Sequence, residues 1–177
     1  KLYTAKQAVA LASEAVEAFG GAGYVEDTGI PRLLRDAQVL PIWEGTTNVL
    51  SLDTLRAIQK AGALPAWIAD IRRRLATLAT DETSTERIGS ALDAIEKFFA
   101  RAEPTGTTTG SDYEQTAARS IAYSIARTEA AMLLLEHARA TKESAAAIAA
   151  RRWCSRDLAR LVEGDASHRG DSRQLLD

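Results

Sequence analysis

Apolar residues recur at three- and four-residue steps along most of the chain, the spacing of helices with one buried side. Ala5, Ala8, Val9, Ala12, Ala15, Val16 and Phe19 mark one face of a first helix. Gly20 and Gly21 end it, and Gly23 leaves the following turn free to take positive φ. Pro31 suits a first helical position, so a short helix is predicted from Arg32 to about Gln38, closed by Pro41. A third runs from about Thr47 to Lys60, with Val49, Leu50, Leu52 and Leu55 as its apolar side.

Gly62 and Pro65 mark a joint. Beyond it Leu64, Ile68, Ile71, Leu75 and Leu78 form another stripe. Thr83-x-x-Glu86 and Ser111-x-x-Glu114 have the capping-box pattern of helix starts. The first leads into Ile88, Leu92, Ile95 and Phe99, the second into Ala118, Ile121, Ile125, Met132 and Leu135. The polar run from Pro104 to Gly110 connects them. A last helix carries Ile148, Cys154, Leu158 and Leu161 and stops near Gly164. The expected fold is an all-α helical bundle in three parts: residues 1–61, an extra helical domain over 62–164, and a loose tail over 165–177.

Composition narrows the function. Ala is about one residue in five of the 177, hydrophobic residues are 46% and aromatics 6%, which favours packed helices over disorder. With 22 basic against 24 acidic side chains, the near balance argues against a dedicated polyanion binder. The single cysteine, Cys154, excludes a disulfide scaffold, and with only His137 and His168 beside it no Cys/His metal site is expected. No apolar run reaches the roughly 18 residues of a membrane span, and no basic-then-apolar leader opens the chain. A cytoplasmic protein without a membrane partner is the expectation. Lys1 opens directly inside a helical pattern, so a longer parent chain is expected.

Two stretches carry unusual chemistry, and both lie before the joint. Phe19-Gly20-Gly21-Ala22-Gly23-Tyr24 follows a helix, unlike the dinucleotide fingerprint that follows a strand. Its glycines fit a tight turn, and they would also expose backbone N–H groups to a phosphate or an adenine. In Ile42-Trp43-Glu44-Gly45-Thr46-Thr47-Asn48 a carboxylate sits between an apolar pair and a glycine, just before a helix start capped by Thr46 or Thr47. Apolar flanks would raise its pKa toward that of a general base, whereas the helix N-terminus favours its ionised form. An ordinary N-terminal helix carboxylate would look the same.

Read together, the stretches are more specific. Glu14-Ala15-Val16-Glu17-Ala18-Phe19-Gly20-Gly21-x-Gly23-Tyr24, then Pro31-Arg32, then Arg35-Asp36-Ala37, then Ile42-Trp43-Glu44-Gly45-Thr46 resemble, in order and interval, the C-terminal helical domain of the acyl-CoA dehydrogenase family. The resemblance implies a flavoprotein oxidoreductase of fatty acid metabolism, a homo-oligomer (dimer or tetramer), of which this chain holds the second half of the C-terminal four-helix domain. It implies that Glu44 is the base removing the α-proton of an acyl-CoA thioester, with hydride passing to FAD. Glu44 and Gly45 would contact the substrate, the Glu44 N–H bonding the thioester carbonyl. Thr46 and Asn48 match positions touching the FAD phosphates or ribose, and Glu17, Gly20 and Gly21 match a segment reaching the adenosine end of FAD in a neighbouring subunit. FAD is therefore expected in the full-length oligomer, with weak or no binding by these residues alone. An electron-acceptor flavoprotein is a further implied partner.

Trp43, Asn48 and Leu52-Asp53-x-Leu55-Arg56 are similar to the AidB-like branch of that family, which also carries extra helices after the Glu-Gly-Thr helix. That branch has been linked to DNA, so DNA binding with little dehydrogenase activity is the alternative reading, and a helical interaction module inactive on its own is a third. Arg152, Arg156 and Arg160 recur at four-residue steps, placing them on one face of a continuous helix. Residues 137–160 hold six basic side chains against two acidic ones. A solvated face paired with nearby carboxylates is the expectation preferred for them, as it is for Arg72, Arg73 and Arg74. Cys154 and Trp67 are expected in the core.

Overall fold

The computed structural model describes residues 1–78, 82–101 and 110–161, the first four of the last segment by their helical backbone alone. The described residues are all-α, as the periodicity requires. They fall into two compact units, Lys1–Asp53 and Thr54–Asp177. Of the polar connection expected over 104–110 all but Gly110, and the tail over 165–177, lie outside the described residues.

In the first unit, α1 (Leu2–Ala18) is followed by the single turn α2 (Gly21–Tyr24), a 3₁₀ turn (Glu26–Thr28) and α3 (Ile30–Val39). Gly20 has φ +56° between α1 and α2, and Gly29 has φ +73° before α3, with Pro31 in the first turn where no N–H is needed. Gly23 is required by space: a Cβ there would lie 2.0 Å from the Val16 carbonyl oxygen, so α2 rests backbone against backbone on α1. Arg35 grips Glu26 with two parallel bonds of 2.8 Å, tying the 3₁₀ turn to α3.

The α1 stripe is only partly covered within this unit. Ala5 is buried, whereas Phe19 is 61% exposed and Ala15 is exposed. In α4 (Thr47–Ala61), which starts in the first unit and ends in the second, Val49 and Leu52 are exposed as well, while Thr47, Ser51 and Leu55 are buried at four-residue steps. The period marks a helix face correctly but does not say what covers it.

The second unit packs α5 (Ala63–Leu75), α6 (Glu82–Arg101), α7 (Gly110–Thr141) and α8 (Ser144–Cys154) around a main core cluster, with a smaller one of Phe98, Ala117 and Ile121 between α6 and α7. Gly62, at φ +59°, breaks the backbone before α5, and Pro65 falls in that helix's first turn. Ile68 and Ile71 of α5, Ile88, Leu92 and Ile95 of α6, and Ile121 and Met132 of α7 are buried as their spacing predicts. Each such side chain removed from water stabilises the fold by about 1.5–3 kcal/mol. Phe98 is buried more deeply than Phe99 and meets it edge-on at 5.5 Å. Buried hydroxyls bond back along the helix, Thr128 to the Ser124 carbonyl at 2.8 Å and Ser124 to the Ser120 carbonyl at 2.7 Å.

The helix limits correct three expectations. Thr83 lies inside α6, which already begins at Glu82, so it is not the N-cap. Ser111 likewise lies inside α7, which begins at Gly110. The last helix ends at Cys154, well before Gly164. There the Ser155 hydroxyl bonds the Arg152 carbonyl and the Arg156 N–H tightens onto the Trp153 carbonyl, three residues back. The chain then turns back, and Leu158 enters the core with its carbonyl accepting from Arg127 Nε at 3.2 Å. Ile148 is 44% exposed, off the Ala150–Cys154 face; Cys154 is buried as expected.

The three consecutive arginines of α5 are all paired. Arg72 bonds Asp93 and Glu96, and Arg73 bonds Asp70. Arg74, only 17% exposed, bonds Glu129 at 2.9 Å and Glu136 at 2.6 Å, joining α5 to α7. Trp67 adds an indole bond of 2.8 Å to Glu129. The Arg74 hydrogen bond holds the Glu136 carboxyl below its ordinary range, against an opposing desolvation. A folded-state pKa below that of the unfolded chain stabilises the fold at neutral pH, and the contribution is lost as pH falls through the folded value. Arg74→Met should therefore cost about 1–3 kcal/mol at pH 7, short of a fully buried pair because both glutamates keep contact with water. It should also make the loss of stability between about pH 5 and pH 3 shallower, as read by thermal melts across that range.

Candidate active site

Pro41 has no N–H and follows the last turn of α3, where the amides of Ile42 and Trp43 both bond the Val39 carbonyl, at 2.9 and 3.1 Å. The chain then reverses through two consecutive residues of positive φ, Glu44 at +60° and Gly45 at +120°, before α4 begins at Thr47. Thr46 occupies the N-cap position, its carbonyl accepting the Leu50 amide at 3.0 Å. Gly45 is favoured by its backbone at φ +120°, and a Cβ there would also need Leu50 Cδ2, 3.1 Å away, to give slightly.

Glu44 is the unusual residue. Among the described residues only Glu44 and Lys142 are non-glycine with positive φ, and Lys142 sits at the α7–α8 junction. Such a conformation costs of order 1–3 kcal/mol and persists where the surroundings over-determine it. Here the restraint comes from the N-cap residue of α1: the Lys1 ammonium donates to the carbonyl of Trp43 and to that of Gly45, the latter at 2.9 Å, on both sides of the glutamate. Sequence reasoning missed this lysine because its partners lie more than forty residues away.

Among the described residues, the apolar side chains next to Glu44 are left open. Trp43 is 71% and Ile42 59% exposed, and Glu44 next to them is exposed as well. Thr46 and Asn48 are exposed at the start of α4, while Gly45 is half-buried and Thr47 is buried.

Glu17, Gly20 and Gly21 lie elsewhere. Lys1 at the start of α1 touches the Glu44 loop, whereas Glu17 is at its far end, about 24 Å away at 1.5 Å per residue. The Gly20–Gly21 turn is open, with nothing within 4 Å of where a Cβ would stand on either glycine. Its backbone is thus open to close approach.

The arginine stripe is corrected. Arg152 is on the last turn of α8, but Arg156 and Arg160 follow the helix end, so the three share no helix face. Arg156 stacks on the Trp153 ring at 5.3 Å, and the Trp153 indole bonds the Arg127 carbonyl at 3.0 Å. Among the described residues, no group of His, Cys, Asp and Glu could hold a metal ion, and no helix is long and apolar enough to cross a membrane.

An all-α chain with a Glu-Gly-Thr edge at a strained helix start, joined to a separate bundle, defines a class, and the comparisons agree on it. Residues 1–59 match the family model described as acyl-CoA dehydrogenase, C-terminal domain, and residues 62–177 match acyl-CoA dehydrogenase 11 C-terminal domain-like. The chain belongs to the acyl-CoA dehydrogenase family.

Among its relatives, acyl-CoA dehydrogenase family member 11 of Caenorhabditis elegans is 46% identical over 143 residues, 78% of this chain and 23% of that protein. The crystal structure of Caenorhabditis elegans ACDH-11 in complex with C11-CoA superposes with a TM-score of 0.90 at 40% identity, covering 99% of this chain and 31% of that one. The putative acyl-CoA dehydrogenase AidB of Escherichia coli is 42% identical over 60 residues, 34% of this chain and 11% of that protein. Likeness to AidB thus covers a third of the chain, and the second unit carries the acyl-CoA dehydrogenase 11 signature. The chain spans about a quarter of the length of the nematode relative.

Proposed function

We propose that this chain supplies the catalytic base and part of the FAD-binding surface of an acyl-CoA dehydrogenase acting on an acyl-CoA thioester. The observation that carries the reading is Glu44 itself, held at positive φ at the mouth of α4 inside a Glu-Gly-Thr sequence. In this reading Glu44 takes the proton from the acyl α-carbon. Its backbone N–H donates to the thioester carbonyl, where negative charge gathers as that proton leaves. FAD, when bound, supplies the hydride acceptor for the β-carbon. Thr46 and Asn48 would hold its phosphates or ribose, and Glu17, Gly20 and Gly21 would reach the adenosine end of FAD in a neighbouring subunit. The length of α1 supports that division, since one chain keeps the two segments a helix apart.

A site shared between subunits needs a homo-oligomer, and re-oxidation calls for an electron-acceptor flavoprotein. These residues alone are a weak platform for FAD. The acyl group is assigned by likeness to the nematode structure bound to C11-CoA, and that compound is the natural first probe. Added anaerobically to the whole flavoprotein, C11-CoA should bleach the flavin absorbance; a flavin that stays oxidised under every acyl-CoA tried would contradict the reading.

A further inference from the structure

We propose that Lys1 is a positioning residue for the reaction, acting through the two peptide groups that bracket Glu44. The proposal rests on the function given above. A lysine ammonium has three N–H donors, and here it spends two of them on the carbonyls of Trp43 and Gly45.

The chemistry follows from peptide geometry. The Trp43 carbonyl and the Glu44 N–H belong to one planar trans peptide and point in opposite directions. Holding the Trp43 oxygen toward Lys1 therefore aims the Glu44 N–H away from Lys1 and fixes the direction in which it can donate. A cation on that oxygen also polarises the peptide, making its N–H a stronger donor. The second bond does the same for the Gly45 carbonyl and the Thr46 N–H. Between the two restrained peptides Glu44 keeps φ +60°, and that backbone sets the direction of its carboxylate. Lys1 thus couples the start of α1 to both the base and the donor without touching substrate.

The test uses the whole FAD-loaded protein with C11-CoA as probe, comparing Lys1→Met, Lys1→Arg and Glu44→Gln. Losing one oxyanion donor typically costs about 10²–10³ in rate; a donor left in place but misaimed should cost less. Lys1→Met should slow anaerobic flavin reduction about 10–100-fold while the C11-CoA dissociation constant moves only slightly. Lys1→Arg, with N–H donors for both carbonyls, should recover much of the loss. Amide hydrogen exchange at residues 43–47 of the substrate-free holoenzyme should be faster in Lys1→Met and near wild type in Lys1→Arg.

Wild-type reduction by Lys1→Met beside an inactive Glu44→Gln would overturn the role of Lys1 and leave the base assignment intact. Unchanged exchange at 43–47 would overturn it as well, whatever the rates. Wild-type reduction by Glu44→Gln would remove the base assignment, and the Lys1 proposal with it.

Discussion

Glu44→Gln in the whole flavoprotein should leave FAD bound and lower the rate of acyl-CoA-driven flavin bleaching by about 10²–10⁴, the usual contribution of a general base. The change is nearly isosteric and keeps the backbone N–H, so the donor to the thioester survives while the proton acceptor is lost. Binding of C11-CoA should therefore persist, and the loss should fall on the reduction step. The variant should also fold normally, because the Glu44 side chain is exposed and the loop is held through backbone carbonyls. Rapid-mixing absorbance under anaerobic conditions separates the two quantities. Glu44→Asp is an informative companion: it keeps the charge but withdraws it by one methylene, and a base held at a fixed φ has no other way to reach the α-carbon.

The largest stability effect is expected in the second unit, at Leu92. It is fully buried in α6, in the same core cluster as Ile71, Ile88, Ile95 and Met132. Leu92→Ala removes most of its packing and leaves a cavity that helices on several sides cannot close, at a cost of about 2–5 kcal/mol. Ile148→Ala in α8, on a side chain 44% exposed, should fall within about 0.5 kcal/mol of wild type. Urea unfolding followed by helical circular dichroism reads both. A Leu92→Ala variant as stable as Ile148→Ala would contradict the core as described.

Most of the second unit was legible because its stripes are long and its core is closed by its own helices. Leu64, Ile68, Ile71, Leu92, Ile121 and Met132 all follow the 3.6-residue period and are all buried. The end of α8 was not legible for the same reason. Cys154, Leu158 and Leu161 keep helical spacing, and a chain that folds back at Ser155 can bury Leu158 as well as a continuous helix would. The error carried into the arginines, whose shared face existed only on the longer helix.

In the first unit the pattern identified faces without identifying their cover, so Phe19, Val49 and Leu52 were assigned inward and stand exposed. At the site, the Glu-Gly-Thr sequence was readable, as was the need for a glycine at 45. The positive φ of Glu44 was not, since glutamate has no preference for that region and the restraint comes from the other end of the unit.

The most direct test of the base assignment is the structure of the whole flavoprotein with C11-CoA bound. The expected result has the Glu44 carboxylate within about 3–3.5 Å of the acyl α-carbon, a near-attack distance, with the Glu44 N–H on the thioester oxygen and the flavin on the opposite side. A different carboxylate at the α-carbon, with Glu44 turned to solvent, would contradict it.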